Sequence, residues 1–232
     1  MKFRIGTQLI AAAVLLAGAQ FASAAPVSYF DNFDSIPYTL SNHPPPNWQT
    51  PYGSVDELVS GSYGGVHCAG GTGGCVDLDG STHMAGLMTT QNTFDLVGGQ
   101  QYSLSFAYSG NQRPGFGSGT TDNLAFGVNS VGLNGPAGPN STGTIDNISW
   151  DQDFMTYTLL FTAARSGAAY AFFSNYGPNA NDDVGTILDD VRLSAVPIPP
   201  AGWLLISGLI GLIGVARRRG TPSTGAAAAV PA

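Results

Sequence analysis

Between Ser28 and Ala195 apolar and polar residues alternate in short runs, and each run is closed by Gly, Pro, Asn or Asp. In Gln101-Tyr102-Ser103-Leu104-Ser105-Phe106-Ala107-Tyr108, the residues Tyr102, Leu104, Phe106 and Tyr108 share one face, which is the two-residue period of a strand. Further runs fall at Leu124 to Val128, Phe154 to Phe161 and Ala169 to Asn175. In the second of these Met155, Tyr157, Leu159 and Phe161 lie on one side, with Thr156, Thr158 and Thr162 on the other. A last run, Gly185 to Ala195, groups Ile187, Val191 and Leu193, with Asp189 on the same parity. No amphipathic helix interrupts the series. About eight to ten such strands predict an all-β fold, an antiparallel β-sandwich of jelly-roll type, over residues 26–195.

The two ends depart from this pattern. Lys2 and Arg4 precede an apolar stretch from Leu9 to Ala19, and Ala22-Ser23-Ala24 supplies the small residues that a signal peptidase requires. Residues 1–24 therefore read as a secretory signal helix, cleaved after Ala24 and handled by the Sec machinery. A second apolar run, Ala201 to Ala216, follows Val196-Pro197-Ile198-Pro199-Pro200 and ends at Arg217, Arg218 and Arg219. As a helix it would reach ~24 Å at ~1.5 Å per residue, a short transmembrane anchor. The arginines hold its far end in the cytoplasm by the positive-inside rule. The tail, 221–232, reads as disordered.

Charge sharpens the picture. All fifteen acidic residues and only three arginines (Arg113, Arg165, Arg192) lie between Ala25 and Val196, with no lysine, a formal charge of −12 for that segment. Such a body has nothing with which to attract a phosphate backbone, so nucleic acid is excluded as a partner. Cys68 and Cys75 bracket a glycine-rich loop. After export that loop can close as a disulfide. The spacing matches neither a redox Cys-x-x-Cys motif nor a four-ligand zinc site.

The C-terminal arrangement of Val196, Pro197, Ile198 and Pro199, the Trp203-to-Leu212 stretch and the arginine cluster resembles the sorting domains of PEP-CTERM proteins, in particular the Val-Pro-Leu-Pro-Ala variant. The resemblance covers residues 196–220. It implies recognition by an exosortase-like processing enzyme, transient anchoring in the inner membrane, and release to the surface or matrix of a Gram-negative, polysaccharide-producing bacterium. Ile198 and Pro199 stand where the commonest form of the motif has Glu and Pro.

The order of features in the body is similar to galactose-binding-like and carbohydrate-binding sandwiches. These features are Phe30-Asp31-Asn32-Phe33-Asp34 at the start, Val76-Asp77-Leu78-Asp79-Gly80 in the middle and Gly185 to Val191 at the close. Related sandwiches often pin their terminal strands with calcium, so Asp31, Asn32, Asp189 and Asp190 are candidate ligands of a structural Ca²⁺, an ion that takes six to eight oxygens. The alternative is that Asp189 accepts backbone N–H bonds from a neighbouring turn. Asp77-Leu78-Asp79-Gly80 and Asn179 to Asp183 read as turns, and neither completes an EF-hand.

Trp48, Tyr52, Tyr63 and Trp150 are candidate sugar-stacking rings or core residues; Trp150 is expected to begin a strand. The motifs of serine hydrolases, zincins and phosphate-binding loops are missing, and His43, His67 and His83 sit in loop-like sequence. The expected role is therefore non-enzymatic: an exported structural or adhesive protein of a surface or biofilm polysaccharide matrix. The second reading is a secreted carbohydrate-binding module, and the third is an unrecognised glycan hydrolase.

Overall fold

The computed structural model describes residues 28–115, 119–132 and 135–197. The signal helix and its cleavage residues Ala22 and Ala24, the apolar segment, Ile198, Pro199, the arginine cluster and the tail lie outside these residues. The described residues form thirteen strands in two antiparallel sheets. The first sheet contains β1 (Ser28–Asp31), β3 (Asp56–Val59), β4 (Gly74–Asp77), β7 (Gln101–Ser109), β11 (Met155–Thr162) and β13 (Ile187–Ala195). The second contains β2 (Trp48–Tyr52), β5 (Leu87–Thr90), β6 (Phe94–Leu96), β8 (Thr121–Ser130), β9 (Gly135–Pro136), β10 (Thr142–Ser149) and β12 (Gly167–Tyr176).

The main strand orders are β11-β7-β13-β4-β3 and β10-β8-β12-β5-β2. Position by position, each strand of one sheet has its sequence neighbour at the same place in the other: β11 with β10, β7 with β8, β13 with β12, β4 with β5, β3 with β2. The chain thus winds around a single core, crossing from sheet to sheet, which is the wrapping of a jelly roll.

The core is built mainly from the predicted faces. Tyr102, Leu104, Phe106, Leu159, Phe161, Val191 and Leu193 all enter it, joined by Trp48, Leu124, Phe126 and Phe173. Phe106 meets Phe126 at 4.8 Å and Phe173 at 5.0 Å between ring centroids, both edge-on, the preferred aromatic geometry. Trp48 is fully enclosed, and its indole N–H donates to Asp31 Oδ2 at 2.9 Å, which fastens β1 to the core.

On β13 the expected grouping of Ile187 with Val191 and Leu193 is corrected. The register with β7 shifts between Asp189 and Arg192, and Asp190 takes a left-handed φ of 50°. This bulge adds a residue and reverses the parity of the strand. Leu188, Val191 and Leu193 therefore face between the sheets. Ile187 packs outside with Leu58, Val66, Cys68 and Cys75. The bulge also marks a change of partner, because β4 pairs with Ile187 and Leu188 whereas β1 pairs with Val191 to Ser194.

Cys68 and Cys75 form the disulfide, with Cα atoms 5.4 Å apart, and hold a short 3₁₀ turn, Ala69–Gly71, over this outer cluster. Closing so small a loop contributes roughly 2–3 kcal/mol on the chain-entropy view. Because a β-branched residue cannot adopt a left-handed backbone without strain, Asp190→Val should destabilise the fold by about 1–3 kcal/mol. Asp190→Gly should be tolerated. Equal loss of melting temperature in both variants would show that the bulge does not set the register.

Candidate functional site

The second sheet carries its distinguishing feature on the side away from the core. On β12, Ala169, Ala171, Phe173 and Asn175 are buried, which leaves Tyr170, Phe172, Ser174 and Tyr176 on the outer face, each part-exposed. Register places small or polar residues beside them. Tyr170 faces Asn129 of β8, Phe172 faces Gly127, Ser174 faces Ala125 and Tyr176 faces Asn123. On the other side Phe172 is opposite Thr89 and Ser174 opposite Leu87 of β5, and Tyr52 of β2 lies opposite Leu87 in turn.

The result is a row of part-exposed aromatic rings on one face of the strand, interrupted by Ser174 and flanked by Asn129, Gly127, Ala125, Asn123, Thr89 and Leu87. Tyr52 is 63% exposed at its margin. The Tyr176 hydroxyl donates to Asp146 of β10, which fixes the ring at one end of the line. Such a surface offers flat apolar faces with hydrogen-bonding groups at their edges. It fits the C–H faces and equatorial hydroxyls of sugar rings.

A second, different site lies at the end of the sandwich where β7 runs into β8 and β12 into β13. Asp77, Asp79 and Asp122 are enclosed there, with Asn111, Asn175 and Thr186. Asp77 Oδ1 accepts from the backbone N–H of Asp79 at 3.0 Å and of Gly185 at 2.9 Å, and its other oxygen lies 2.6 Å from Arg113 Nη2. Asp122 accepts from the side-chain amides of Asn111 and Asn175. Gly185 is required because a Cβ would fall 2.7 Å from that of Asp79.

Burial raises all three carboxyls: Asp77 to about 8 despite the adjacent guanidinium, Asp79 to about 7, and Asp122 to about 6 despite two amide donors. Above them opens a cleft of roughly 370 Å³ lined by Asp56, Tyr63, Ser81, Arg113, Asp182 and Asp183, among others. Its aromatic wall, Tyr63, stacks on the Arg113 guanidinium at 4.9 Å.

The candidate residues from the sequence separate into these surroundings. Asp31 is engaged by Trp48, by Tyr29 and by the Phe33 amide, while Asn32 bonds Asp34. Asp189 accepts from Ala69 N at 2.9 Å and from Asp190 N at 2.7 Å, so the turn under the disulfide satisfies it. Owing to the bulge its carboxyl points to that turn and not into the core. Burial nonetheless raises it to about 7. Asp190 is exposed. Asp31, Asn32 and Asp189 thus turn to separate partners, and among the described residues no group of three or more His, Cys, Asp or Glu side chains could hold a metal ion.

Of the aromatic candidates, Trp48 is core, Tyr52 borders the outer row, and Tyr63 walls the cleft. Trp150 follows β10 in a turn and does not begin a strand. His43 pairs with Glu57, and His83 with Asp183. The turns at Asp77 to Gly80 and Asn179 to Asp183, read separately from sequence, meet at the buried carboxyls, where Asp182 N donates to Asp79 Oδ2. The outer-row residues Tyr170, Phe172 and Tyr176 were missed. Their signal was the shared parity of Tyr170, Phe172 and Tyr176, which defines a face without saying whether it is inward.

Because the folded-state values of Asp77, Asp79 and Asp122 lie above the ordinary 3.8, the folded protein binds more protons than the unfolded chain between about pH 4 and 8. Stability is therefore greatest on the acid side and falls as pH rises through 6, 7 and 8, by up to about 1.4 kcal/mol per pH unit for each titrating carboxyl. Melting temperature should drop between pH 5 and pH 8.5, and Asp79→Asn should flatten the slope. A melting temperature that rises over that range would overturn this account.

No family model matches the chain, and no curated protein matches it. Among solved structures, it is similar to the K1 cleaved adhesin domain of Lys-gingipain from Porphyromonas gingivalis W83, with 16% identity and a TM-score of 0.46 over 74% of this chain and 99% of that one. It is similar to the CBM22-1 xylan-binding domain of Xyn10C from Paenibacillus barcinonensis, with 12% identity, a TM-score of 0.40, and 69% and 94% of the two chains covered. A third is the C-terminal CBM6 of the laminarinase LamC from Zobellia galactanivorans, with 10% identity and a TM-score of 0.37 over 72% and 99%.

Proposed function

We propose that this chain is an exported, non-enzymatic polysaccharide-binding protein of the cell surface or extracellular matrix, and that the polymer lies on the outer face of the second sheet. The observation that carries the reading is the outward line of Tyr170, Phe172 and Tyr176. Tyr170 and Phe172, with Tyr176 beyond Ser174, keep part of their ring surface exposed on the face away from the core, and a partner that covers apolar area of this kind gains by removing it from water. Ala125, Gly127 and Thr89, the cross-strand neighbours of Ser174 and Phe172, add little side-chain bulk beside the rings. The secretory signal and the PEP-CTERM-like segment supply the route outward: translocation, brief anchoring in the membrane, then processing by an exosortase-like enzyme. The Cys68–Cys75 bond supports that location, because disulfides persist in oxidising compartments.

Purified protein should be retained on at least one polysaccharide in affinity electrophoresis. Phe172→Ala and Tyr170→Ala should each weaken that retention about tenfold, the effect of losing ~1.4 kcal/mol of stacking. Melting temperature should fall less than it does for Phe173→Ala, since both rings are part-exposed whereas Phe173 is fully buried. Retention that survives both substitutions would remove the outer face from the account. For the export half of the reading, the intact mass of the protein from its native envelope fraction should show loss of residues 1–24 and of the C-terminal segment. A full-length mass would contradict it.

A further inference from the structure

Resting on the polysaccharide reading above, we propose that the outer face of the second sheet selects interior segments of an uncharged glycan and rejects acidic ones, those bearing uronate, sulfate or phosphate groups. Recognition of an acidic sugar needs a cation beside it, and Arg is the residue best shaped for the task. The seven strands of the second sheet carry none.

Arg113 is 8% exposed and held by Asp77 among the buried carboxyls where β12 runs into β13. Arg192 belongs to β13 of the other sheet and stacks on Phe30 at 4.5 Å. Arg165 is exposed in the turn between β11 and β12, two residues before β12 begins, off the strands of the sheet and at the end of the line that Asp95 also occupies. The histidines are off these strands as well: His43 and His83 are on Glu57 and Asp183, and the His67 backbone is bonded to the Gln112 side chain. No lysine occurs between Ala25 and Val196.

The line is instead bracketed by carboxylates of the same sheet. Asp146 holds the Tyr176 hydroxyl at one end. At the other, Asp95 of β6 is exposed and stands opposite Ala168, on the outer parity of β12. Both can accept hydrogen bonds from sugar hydroxyls, and both repel an anionic chain. The wider field has the same sign, because the segment carries a formal charge of −12.

Length is the other half of the inference. From Tyr170 to Tyr176 the line runs roughly 20 Å at ~3.4 Å per residue, longer than one sugar ring, so no single terminal residue can fill it. Affinity should therefore climb with oligomer length until the line is covered.

The test uses the purified protein against polymers paired by backbone and differing in charge: β-1,4-mannan with β-1,4-polymannuronate, and hydroxyethylcellulose with carboxymethylcellulose. Oligomers of the retained backbone follow by calorimetry. The expected result is binding to at least one neutral polymer, with its acidic partner at least tenfold weaker at low salt. The gap should narrow as salt screens the repulsion, and affinity should increase from dimer to longer oligomers. An acidic partner bound as tightly as its neutral counterpart, or affinity already complete for a monosaccharide, would overturn this inference and leave the polysaccharide reading in place. Retention on none of the polymers, neutral or acidic, would overturn that reading and the inference with it.

Discussion

Phe106 of β7 sits edge-on to Phe126 and Phe173 at the centre of the sandwich, with Trp48 packed 6.0 Å from Phe173. These rings fill the space between the sheets so completely that β12 can offer only Ala169 and Ala171 alongside Phe173. Interiors are close-packed, and a strand that turned its bulkier face inward here would overfill the core. The volume supplied by β7, β8 and β2 therefore decides which way β12 faces, and Tyr170, Phe172 and Tyr176 are left outside as a consequence. Since side chains alternate with period two, a slip of one residue would bury those rings and expose Phe173. The candidate binding surface is thus the reverse side of a packing solution.

The two ends of the described chain are tied by related means. β1 pairs along the second half of β13 and is anchored by the Trp48–Asp31 bond, while β4 takes the first half. Asp190 makes this change of partner feasible by adopting a backbone conformation that most residues avoid. The outer cluster of Leu58, Val66, Ile187 and the disulfide covers what the bulge turns outward. The buried carboxyls at the end of the sandwich work in the opposite sense. Asp77, Asp79 and Asp122 are costly when charged, and only one guanidinium balances them. They tie the turns at 77–80 and 179–185 to the strand ends, and make the fold more stable in acid than in base.

Much of the architecture was legible from alternation alone. The run 101–108 identified its inward face, and 154–161 placed Leu159 and Phe161 inside, although Met155 at the strand's start is exposed. The closeness of Cys68 and Cys75 followed from a loop of glycines. What alternation could not convey was anything set by a partner strand. The bulge at Asp190 inverts parity within one continuous run, so Asp189 was assigned to the same face as Val191 when it faces the turn under the disulfide. The run 169–176 has aromatic residues on both faces, and only the volume across the core distinguishes them. Asp77 and Asp79 look like ordinary turn residues because their partners, Arg113 and the 182–185 turn, are distant in sequence.

The most direct test of the central claim is a titration of the isotopically labelled protein with a retained neutral oligosaccharide, followed by aromatic ring resonances in solution. Shifts confined to Tyr170, Phe172, Tyr176 and Tyr52 are expected, with Phe106, Phe126 and Phe173 unmoved. Shifts centred instead on Tyr63 and the cleft above Asp77, with the outer row silent, would contradict that claim.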